Sequence, residues 1–179
     1  MALVIAECCQ NHLGDWAILK DMVWAAAEVG ADIVKVQSML AADLVRRERF
    51  EAGVVRDGRT LVLRRPFEPE LDRMRQAELS DELHHRFVEE CGKAGVEPLT
   101  TVFSQSRIPF LASLPWRRIK VASYDCASVP MLRALAERFD HLFISTGATY
   151  DSEVADAARA LSGTLGRTPG VFSLARGST

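Results

Sequence analysis

Long apolar runs are missing from this 179-residue sequence, and no stretch approaches the roughly 18 residues that a membrane-crossing helix needs. An excess of one charge is also missing, because 22 Lys and Arg face 24 Asp and Glu. Nucleic-acid-binding proteins usually carry a strong basic excess, so this balance argues against nucleic acid as a partner. The first residues lack the basic and apolar segments of a signal peptide, so we expect a cytoplasmic protein.

Cysteine and lysine are both scarce. The four cysteines form no CxxC pair, so their spacing indicates neither a zinc site nor thioredoxin-type chemistry. We expect free thiols in a reducing compartment. Only four of the 22 basic residues are lysines, which makes the position of each lysine informative. The apolar fraction of 48% is sufficient for a buried core.

Short apolar runs alternate with amphipathic stretches along the chain. Residues 3–6 form a continuous apolar run, which is typical of a parallel strand buried on both faces. Asp15 and Ser80 are placed to cap the helices that follow them, and Gly30 and Gly95 to end those helices. The pattern predicts strands at residues 3–6, 33–37, 96–103, 119–123, 142–145 and 171–175.

This alternation of strands and helices predicts a parallel α/β architecture. An open doubly wound sheet and a (β/α)₈ barrel both fit the pattern. A barrel needs eight strands and about 250 residues. Six predicted strands therefore indicate an incomplete TIM-type barrel, with about six of eight βα units in a single domain over residues 1–179. A partial ring leaves two unpaired strand edges, so we expect a homo-oligomer.

Residues 38–79 interrupt the rhythm as a long excursion between the second strand and the next helix. The segment is rich in arginine and shows no clear periodicity, although residues 60–63 are typical of a strand in a small hairpin. Long connections of this kind are usually functional or mobile. The sequence leaves open whether the excursion is a solvated surface or a loop that faces an anion or another subunit.

Polar side chains collect where the predicted strands end, and these ends meet at one mouth in parallel α/β folds. The candidate site residues are Glu7, His12, Lys35, Gln37, Thr101, Lys120, Ser123, Asp125, Ser145 and Ser178. Two lysines among several hydroxyls suit a small, multiply charged anion, such as a phosphate that also carries a carboxylate. Glu7 and Asp125 are placed to balance these charges or to transfer protons. A purely structural ion-pair network is the alternative.

Other catalytic patterns are missing, and the histidines divide into two groups. The sequence contains no G-x-S-x-G, G-x-G-x-x-G or Walker A motif, which argues against serine hydrolase, dinucleotide and P-loop chemistry. His12 follows the first strand, where it either contacts a ligand or holds the loop by a hydrogen bond. His84 and His85 are expected on the polar, exposed side of their helix.

Several short motifs resemble, in order, those of the sialic acid (N-acetylneuraminate) synthase family. Residues 5–15, IAECCQNHLGD, resemble its I-A-E-I-G-x-N-H-x-G-D opening. Residues 30–37, GADIVKVQ, resemble its A-G-A-D-x-V-K-F-Q segment. Further matches follow in order at residues 78–80, 100–103, 119–123 and 144–147. The ordered series is far more specific than any single motif.

The resemblance implies a barrel transferase that condenses phosphoenolpyruvate with an N-acylamino sugar aldehyde to give a nonulosonic (2-keto) acid, in carbohydrate biosynthesis. It implies that Asp125 contacts the sugar and that Glu7 is the acid of the first strand. The positions that match phosphoenolpyruvate-binding residues are Lys35, Thr101, Lys120, Ser123, Ser145 and Ser178. It also implies a divalent metal, Mn²⁺ or Mg²⁺, whose ligands lie beyond Thr179, so no metal ligand is predicted within the chain.

The sequence departs from the family pattern at several of these motifs. Cys9 stands where the family has glycine, Val102 where it has proline, and Tyr124 where it has glycine. Arg176 and Gly177 stand where it usually has Cys-Thr. The alternative reading is therefore a non-catalytic, degenerate barrel segment that binds a partner chain or an acidic ligand. A third reading is another phosphoenolpyruvate aldol synthase or a barrel lyase.

Overall fold

A parallel sheet forms the centre of the structure, a computed structural model that describes residues 2–147 and 149–162. Its five strands are β1 (Ile5–Cys9), β2 (Ile33–Ser38), β5 (Glu97–Val102), β6 (Ile119–Val121) and β7 (Leu142–Ile144), in that spatial order. A separate antiparallel hairpin consists of β3 (Val54–Arg56) and β4 (Arg59–Val62). The α-helices are α1 (Trp16–Glu28), α2 (Glu48–Ala52), α3 (Phe67–Ala77), α4 (Asp81–Ala94), α5 (Ile108–Leu111), α6 (Val129–Ala136) and α7 (Asp151–Ser162). The predicted parallel α/β class is confirmed.

Helices α1 and α4 begin and end close to the residues that the sequence indicated. The Asp15 carboxylate accepts the backbone N–H groups of Ala17 and Ile18, at 2.7 and 3.3 Å. The Ser80 hydroxyl accepts the N–H group of Leu83 at the start of α4. Gly95 follows α4 with φ of 74°, a left-handed conformation that glycine adopts without strain. These contacts satisfy backbone groups that the helix ends leave unpaired.

The two faces of the sheet have different surroundings. Val34 and Val36 of β2 belong to the main apolar core, which they share with Leu19 of α1 and Phe87 of α4. Since successive side chains of a strand point to opposite faces, Lys35 between these two valines lies on the other face. The helices thus cover one face, and the polar strand-end residues occupy the face that a barrel turns inward.

The first strand differs from its prediction. It begins at Ile5 rather than at Leu3, and Leu3 and Val4 are half-exposed. The prediction of a strand buried on both faces was wrong, because β1 pairs only with β2 among the described residues. The predicted sixth strand at 171–175 lies outside the described residues.

The excursion after β2 contains more regular structure than predicted. The hairpin is confirmed, with β4 at Arg59–Val62. Helix α3 was missed, although Pro66 directly before it and acidic residues in its first turn are recognisable signs of a helix start. The excursion packs against the loop that follows β1. Arg73 of α3 donates a 2.8 Å hydrogen bond to the Gln10 side chain, and a Cβ atom at Gly14 would lie only 2.3 Å from the Gln76 carbonyl oxygen.

Within residues 2–147 and 149–162, every helix is too short or too polar to cross a bilayer.

Candidate functional site

Strand register brings four of the predicted site residues to one face of the sheet. Glu7 of β1 lies opposite Lys35 of β2, and Thr101 of β5 lies opposite Lys120 of β6. Directly opposed residues of neighbouring strands point to the same side. Thr101 is paired with Gln37, which is two residues after Lys35 on β2. Lys35 and Thr101 therefore lie on the same face, with Thr101 nearer the carboxyl ends of the strands. The long lysine side chain spans that distance toward the carboxyl ends of the strands.

The Lys35 ammonium group is the centre of this cluster. The residue is only 2% exposed. Its Nζ atom lies 2.7 Å from Glu7 Oε1 and donates a 2.9 Å hydrogen bond to Thr101 Oγ1. A buried ammonium group is costly unless it is paired and hydrogen-bonded. Lys35 is therefore neutralised by Glu7, and the two residues join β1, β2 and β5 through Thr101.

The Lys120 ammonium group lacks such a counter-ion. Its Nζ atom donates a 2.8 Å hydrogen bond to Ser145 Oγ, just beyond the end of β7. Among the described residues, no carboxylate lies within ion-pair distance of it. Burial lowers the pKa of Lys120, and repulsion by Lys35 lowers it further, against the opposing effect of Glu7. The cluster thus holds two ammonium groups and one paired carboxylate, which leaves net positive charge for an anion.

Cys9 is a site residue that the sequence flagged only as a departure from the family motif. Its thiol donates a 3.2 Å hydrogen bond to Glu7 Oε1 and lies 3.8 Å from the amide nitrogen of Gln37, which places Gln37 at the edge of the cluster. Burial raises the pKa of Cys9, and the Glu7 carboxylate raises it further. Its φ of 48° lies in the left-handed region, where the family's glycine is unstrained. The change from the family's glycine to Cys9 was the sequence signal that could have identified this site residue.

The loops after β6 and β7 contact each other. Ser123 begins a 3₁₀ turn, and the Thr149 hydroxyl donates a 3.5 Å hydrogen bond to the Ser123 carbonyl oxygen. A Cβ atom on Gly147 would lie 3.9 Å from the Ser123 side chain. Burial raises the pKa of Asp125, which ends the same turn. Ser123 and Asp125 therefore lie next to the strand-end cluster, on the β6–β7 side.

His12 is buried and holds the loop after β1. Its Nδ1 atom accepts the backbone N–H group of Gly14 at 3.0 Å. A nitrogen that accepts this bond carries no proton, and burial lowers the pKa of His12, so the ring is neutral. This contact shows that His12 holds the loop, whereas its buried Nε2 atom has no hydrogen-bond partner among the described residues, so the ligand-contacting alternative stays a prediction. Ser178 lies outside the described residues.

The prediction of an exposed His84 was wrong, whereas its neighbour His85 is exposed as expected. The His84 ring is buried, its Nδ1 atom donates to the Ser80 carbonyl oxygen at 2.9 Å, and it packs edge-on against Phe110. Phe110 lies on a different helix, α5, and the periodicity of α4 alone does not reveal such a neighbour of His84. The ring is a structural element of the α4–α5 contact rather than a site residue.

Metal ligands do not cluster within the described ranges. Neither 2–147 nor 149–162 contributes to a group of three or more His, Cys, Asp or Glu side chains that suits a metal ion. The residues at the mouth are lysines, hydroxyls and one paired carboxylate, which are donors to an anion rather than ligands of a divalent cation.

The parallel sheet, the helices on one face and the polar strand ends on the other define the class of this protein as an incomplete (β/α) barrel. The same partial architecture appears in solved structures. A sialic acid synthetase from Leptospira borgpetersenii, crystallised with citrate, superposes with a TM-score of 0.77 at 22% identity, over 98% of this chain and 53% of that one. A truncated 3-deoxy-D-arabino-heptulosonate 7-phosphate synthase from Thermotoga maritima shares the fold, with a TM-score of 0.64 at 10% identity.

The chain belongs to the NeuB family, whose model matches residues 22–171. An N,N′-diacetyllegionaminic acid synthase from Legionella pneumophila is 34% identical over 144 residues, which are 80% of this chain and 39% of that protein. A pseudaminic acid synthase from Campylobacter jejuni is 24% identical over 151 residues, 84% of this chain and 43% of that protein. The chain thus spans about two fifths of the length of these relatives.

Proposed function

We propose that the strand-end cluster binds phosphoenolpyruvate, and that the chain supplies the phosphoenolpyruvate-binding part of a nonulosonic acid synthase. One observation carries the proposal: the Lys120 ammonium group lies at the mouth beside Lys35 without a carboxylate partner in the described structure. Such a group attracts an anion, because it is partly shielded from water and no carboxylate neutralises it. Phosphoenolpyruvate carries both a phosphate and a carboxylate, which two ammonium groups can hold together.

The surrounding hydroxyls complete the binding site in this proposal. Thr101 and Ser145 each already contact one lysine, so an anion between the lysines lies within reach of both hydroxyls. Ser123, at the end of β6, adds a third hydroxyl, and Ser178 is assigned to the same ligand by its match to the family motif. Fixed donors of this kind orient the enol for attack without reorganisation at the moment of reaction.

The reaction class of this proposal is the one that the family and the names of its relatives suggest. The methylene carbon (C3) of phosphoenolpyruvate forms a bond to the aldehyde carbon of an N-acylamino sugar, and the aldehyde oxygen takes up a proton. Water adds to C2, the carbon that bears the phosphate, the C2–O bond to phosphorus breaks, and inorganic phosphate leaves. The product is a 2-keto acid of the nonulosonic class. Asp125, whose pKa is raised by burial, is the assigned sugar-contacting acid, and Glu7 is positioned to exchange a proton near Lys35.

The remaining parts of the synthase lie outside the described cluster. The family resemblance assigns the divalent metal to ligands beyond Thr179, and the relatives are more than twice as long as the stretch they share with this chain. We further propose that the protein acts in the cytoplasm as a homo-oligomer, in carbohydrate biosynthesis. The acceptor is an N-acylamino sugar aldehyde, as the names of the synthases similar to this chain suggest.

Isothermal titration with phosphoenolpyruvate tests the proposal, because it measures binding without requiring turnover. We expect one site per chain, with Lys35→Met and Lys120→Met each weakening binding by about tenfold or more. Lys93→Met is the matched control, since Lys93 pairs with Glu90 on α4 and is expected to leave binding unchanged. A parent protein that binds no phosphoenolpyruvate, or lysine variants that bind like the parent, would show the site assignment to be wrong.

Turnover is tested separately by phosphate release in the presence of phosphoenolpyruvate, N-acetyl-D-mannosamine and Mn²⁺. Release above the background of each substrate alone supports the synthase reading for this chain. Phosphoenolpyruvate binding with no release supports the alternative of a barrel segment that binds an acidic ligand without turnover.

A further inference from the structure

The chain has only two tyrosines, and both lie in the solvent at the mouth of the proposed site. Tyr124 is 87% exposed and Tyr150 is 78% exposed. Tyr124 follows β6 and Tyr150 follows β7, which are neighbouring strands that pair in parallel. Both rings therefore belong to the carboxyl-end loops that border the Lys120 and Ser145 pair. Aromatic rings are normally largely buried, so two exposed rings at one rim require an explanation.

The two tyrosines share one rim because the residues directly before them are in contact. The Thr149 hydroxyl oxygen lies 3.5 Å from the Ser123 carbonyl oxygen and 3.3 Å from that of Gly147, and the chain continues from Ser123 to Tyr124 and from Thr149 to Tyr150. The backbone at each tyrosine is held in place. The Tyr150 N–H group donates to the Glu153 carboxylate at 2.8 Å, and the turn at Tyr124 is closed by the Asp125 N–H group, which donates to Ala122 at 3.0 Å.

An exposed ring on a fixed backbone is a prepared contact surface, because little conformational entropy is lost when a ligand covers it. We infer that Tyr124 and Tyr150 form the contact platform for the acceptor sugar, with the ring faces against its C–H and N-acyl groups. This inference rests on the proposed function, which places phosphoenolpyruvate beside the same loops. The surroundings suit a sugar, since Ser123, Asp125 and Thr149 offer polar groups to its hydroxyls beside the two rings.

The platform also accounts for acceptor choice within this chain. An N-acyl group offers a methyl to one ring face and an amide to the polar atoms next to it, and a plain hexose lacks both of these groups. Tyr124 stands where the family motif has glycine, so this ring is a feature of the present sequence. The two rings are binding residues, and they discriminate between acylated and unacylated sugars.

Saturation-transfer NMR with N-acetyl-D-mannosamine, in the presence of phosphoenolpyruvate, tests this inference. Tyr124→Ala and Tyr150→Ala are each expected to weaken sugar binding roughly three- to tenfold, whereas Tyr124→Phe and Tyr150→Phe, which keep the ring faces, stay within about twofold of the parent. D-Mannose, which lacks the acetamido group, is expected to bind more weakly than the acetylated sugar. Val29→Ala is the matched control, because Val29 is equally exposed but follows α1 at the opposite end of the strands.

Two results would overturn the inference. The first is a parent protein that binds phosphoenolpyruvate but not the acetylated sugar. The second is a pair of alanine variants that bind the sugar like the parent. If these variants also have a smaller sedimenting mass, the rings are assigned to contact with a second copy of the chain. Each result leaves phosphoenolpyruvate binding intact, so the proposed function and the platform fail separately. A parent protein that binds the sugar but does not bind phosphoenolpyruvate would keep the platform and reject the anion site.

Discussion

Lys120 donates a 2.8 Å hydrogen bond to Ser145, just beyond the end of the neighbouring strand β7, and this hydroxyl is its polar partner among the described residues. The second lysine of the cluster is different, because Lys35 lies 2.7 Å from the Glu7 carboxylate. The two ammonium groups therefore have opposite effects on the unliganded fold. Lys35 is neutralised by the Glu7 carboxylate, whereas Lys120 has no counter-ion among the described residues and would gain one when an anionic ligand binds.

This difference predicts opposite changes in thermal stability for two otherwise identical substitutions. Lys35→Met breaks an ion pair whose lysine is buried and whose carboxylate is half-exposed, and it removes the hydrogen bond to Thr101, which we expect to cost about 1–3 kcal/mol in the free energy of unfolding. Lys120→Met removes a half-buried charge that has no counter-ion, so we expect Tm to stay the same or rise. Differential scanning calorimetry of both variants without ligand measures the effect. Equal losses of stability in the two variants would contradict the charge assignment.

The affinity for phosphoenolpyruvate is predicted to fall as the pH rises. The fall should begin at a lower pH than the pKa of an ordinary lysine would give. Burial lowers the pKa of Lys120, and Lys35 lowers it further. The ammonium form attracts the anion below this pKa, and the attraction disappears as the pH rises through it. Titration calorimetry over a series of alkaline pH values follows the change. Lys120→Arg keeps its charge throughout this range, so its affinity should remain flat where that of the parent declines.

Cys9 is predicted to be the cysteine that reacts first with a thiol reagent, and phosphoenolpyruvate is expected to protect it. The other three cysteines are buried, whereas Cys9 is partly exposed and contacts Glu7 inside the proposed site. Since its pKa is raised, the reaction should be slow at neutral pH and faster at mildly alkaline pH. Peptide mass spectrometry after limited alkylation identifies the modified residue. Labelling that spares Cys9, or that phosphoenolpyruvate leaves unchanged, argues against a ligand at this position, and Cys9→Ser provides the background.

Gly14→Ala is predicted to destabilise the protein much more than Gly30→Ala. Both glycines have left-handed φ angles, 76° and 83°, so both substitutions carry the same conformational strain of about 1–2 kcal/mol. A Cβ atom at Gly14 would also overlap the Gln76 carbonyl oxygen at 2.3 Å, whereas at Gly30 it would meet no atom within 4 Å. We expect a total cost of about 3 kcal/mol or more at Gly14. Urea unfolding of the two variants gives the comparison, and similar midpoints would show that α3 does not pack on the first loop.

Much of the architecture was predictable because it depends on local signals. Asp15, Ser80 and Gly95 mark helix ends through short-range hydrogen bonds, and each acts where the sequence placed it. The proximity of Glu7, Lys35, Thr101 and Lys120 was also predictable, since residues at the carboxyl ends of parallel strands share one edge. Their individual roles as ligands of an anion stay predictions.

The structural features that the sequence did not predict depend on contacts between residues that are distant in the sequence. His84 is buried because Phe110 of another helix covers it, and no periodicity within α4 records that neighbour. The burial of β1 was overestimated because it depends on a second neighbouring strand, which its own apolar residues cannot specify. The contact between Thr149 and Ser123, which brings the two tyrosines together, likewise arises from the pairing of β6 and β7.

The half-exposed start of the first strand bears on how the protein behaves in concentrated solution. Leu3 and Val4 present apolar side chains directly before β1, and although the Val4 backbone is bonded to Asp32 and Ile33, the outer edge of β1 itself pairs with no described strand. Unpaired amide and carbonyl groups along such a margin accept any extended segment that approaches, which favours edge-to-edge growth into aggregates. A lysine in place of Val4 would set like charges against each other there, and crystallisation or storage at high protein concentration would gain from it.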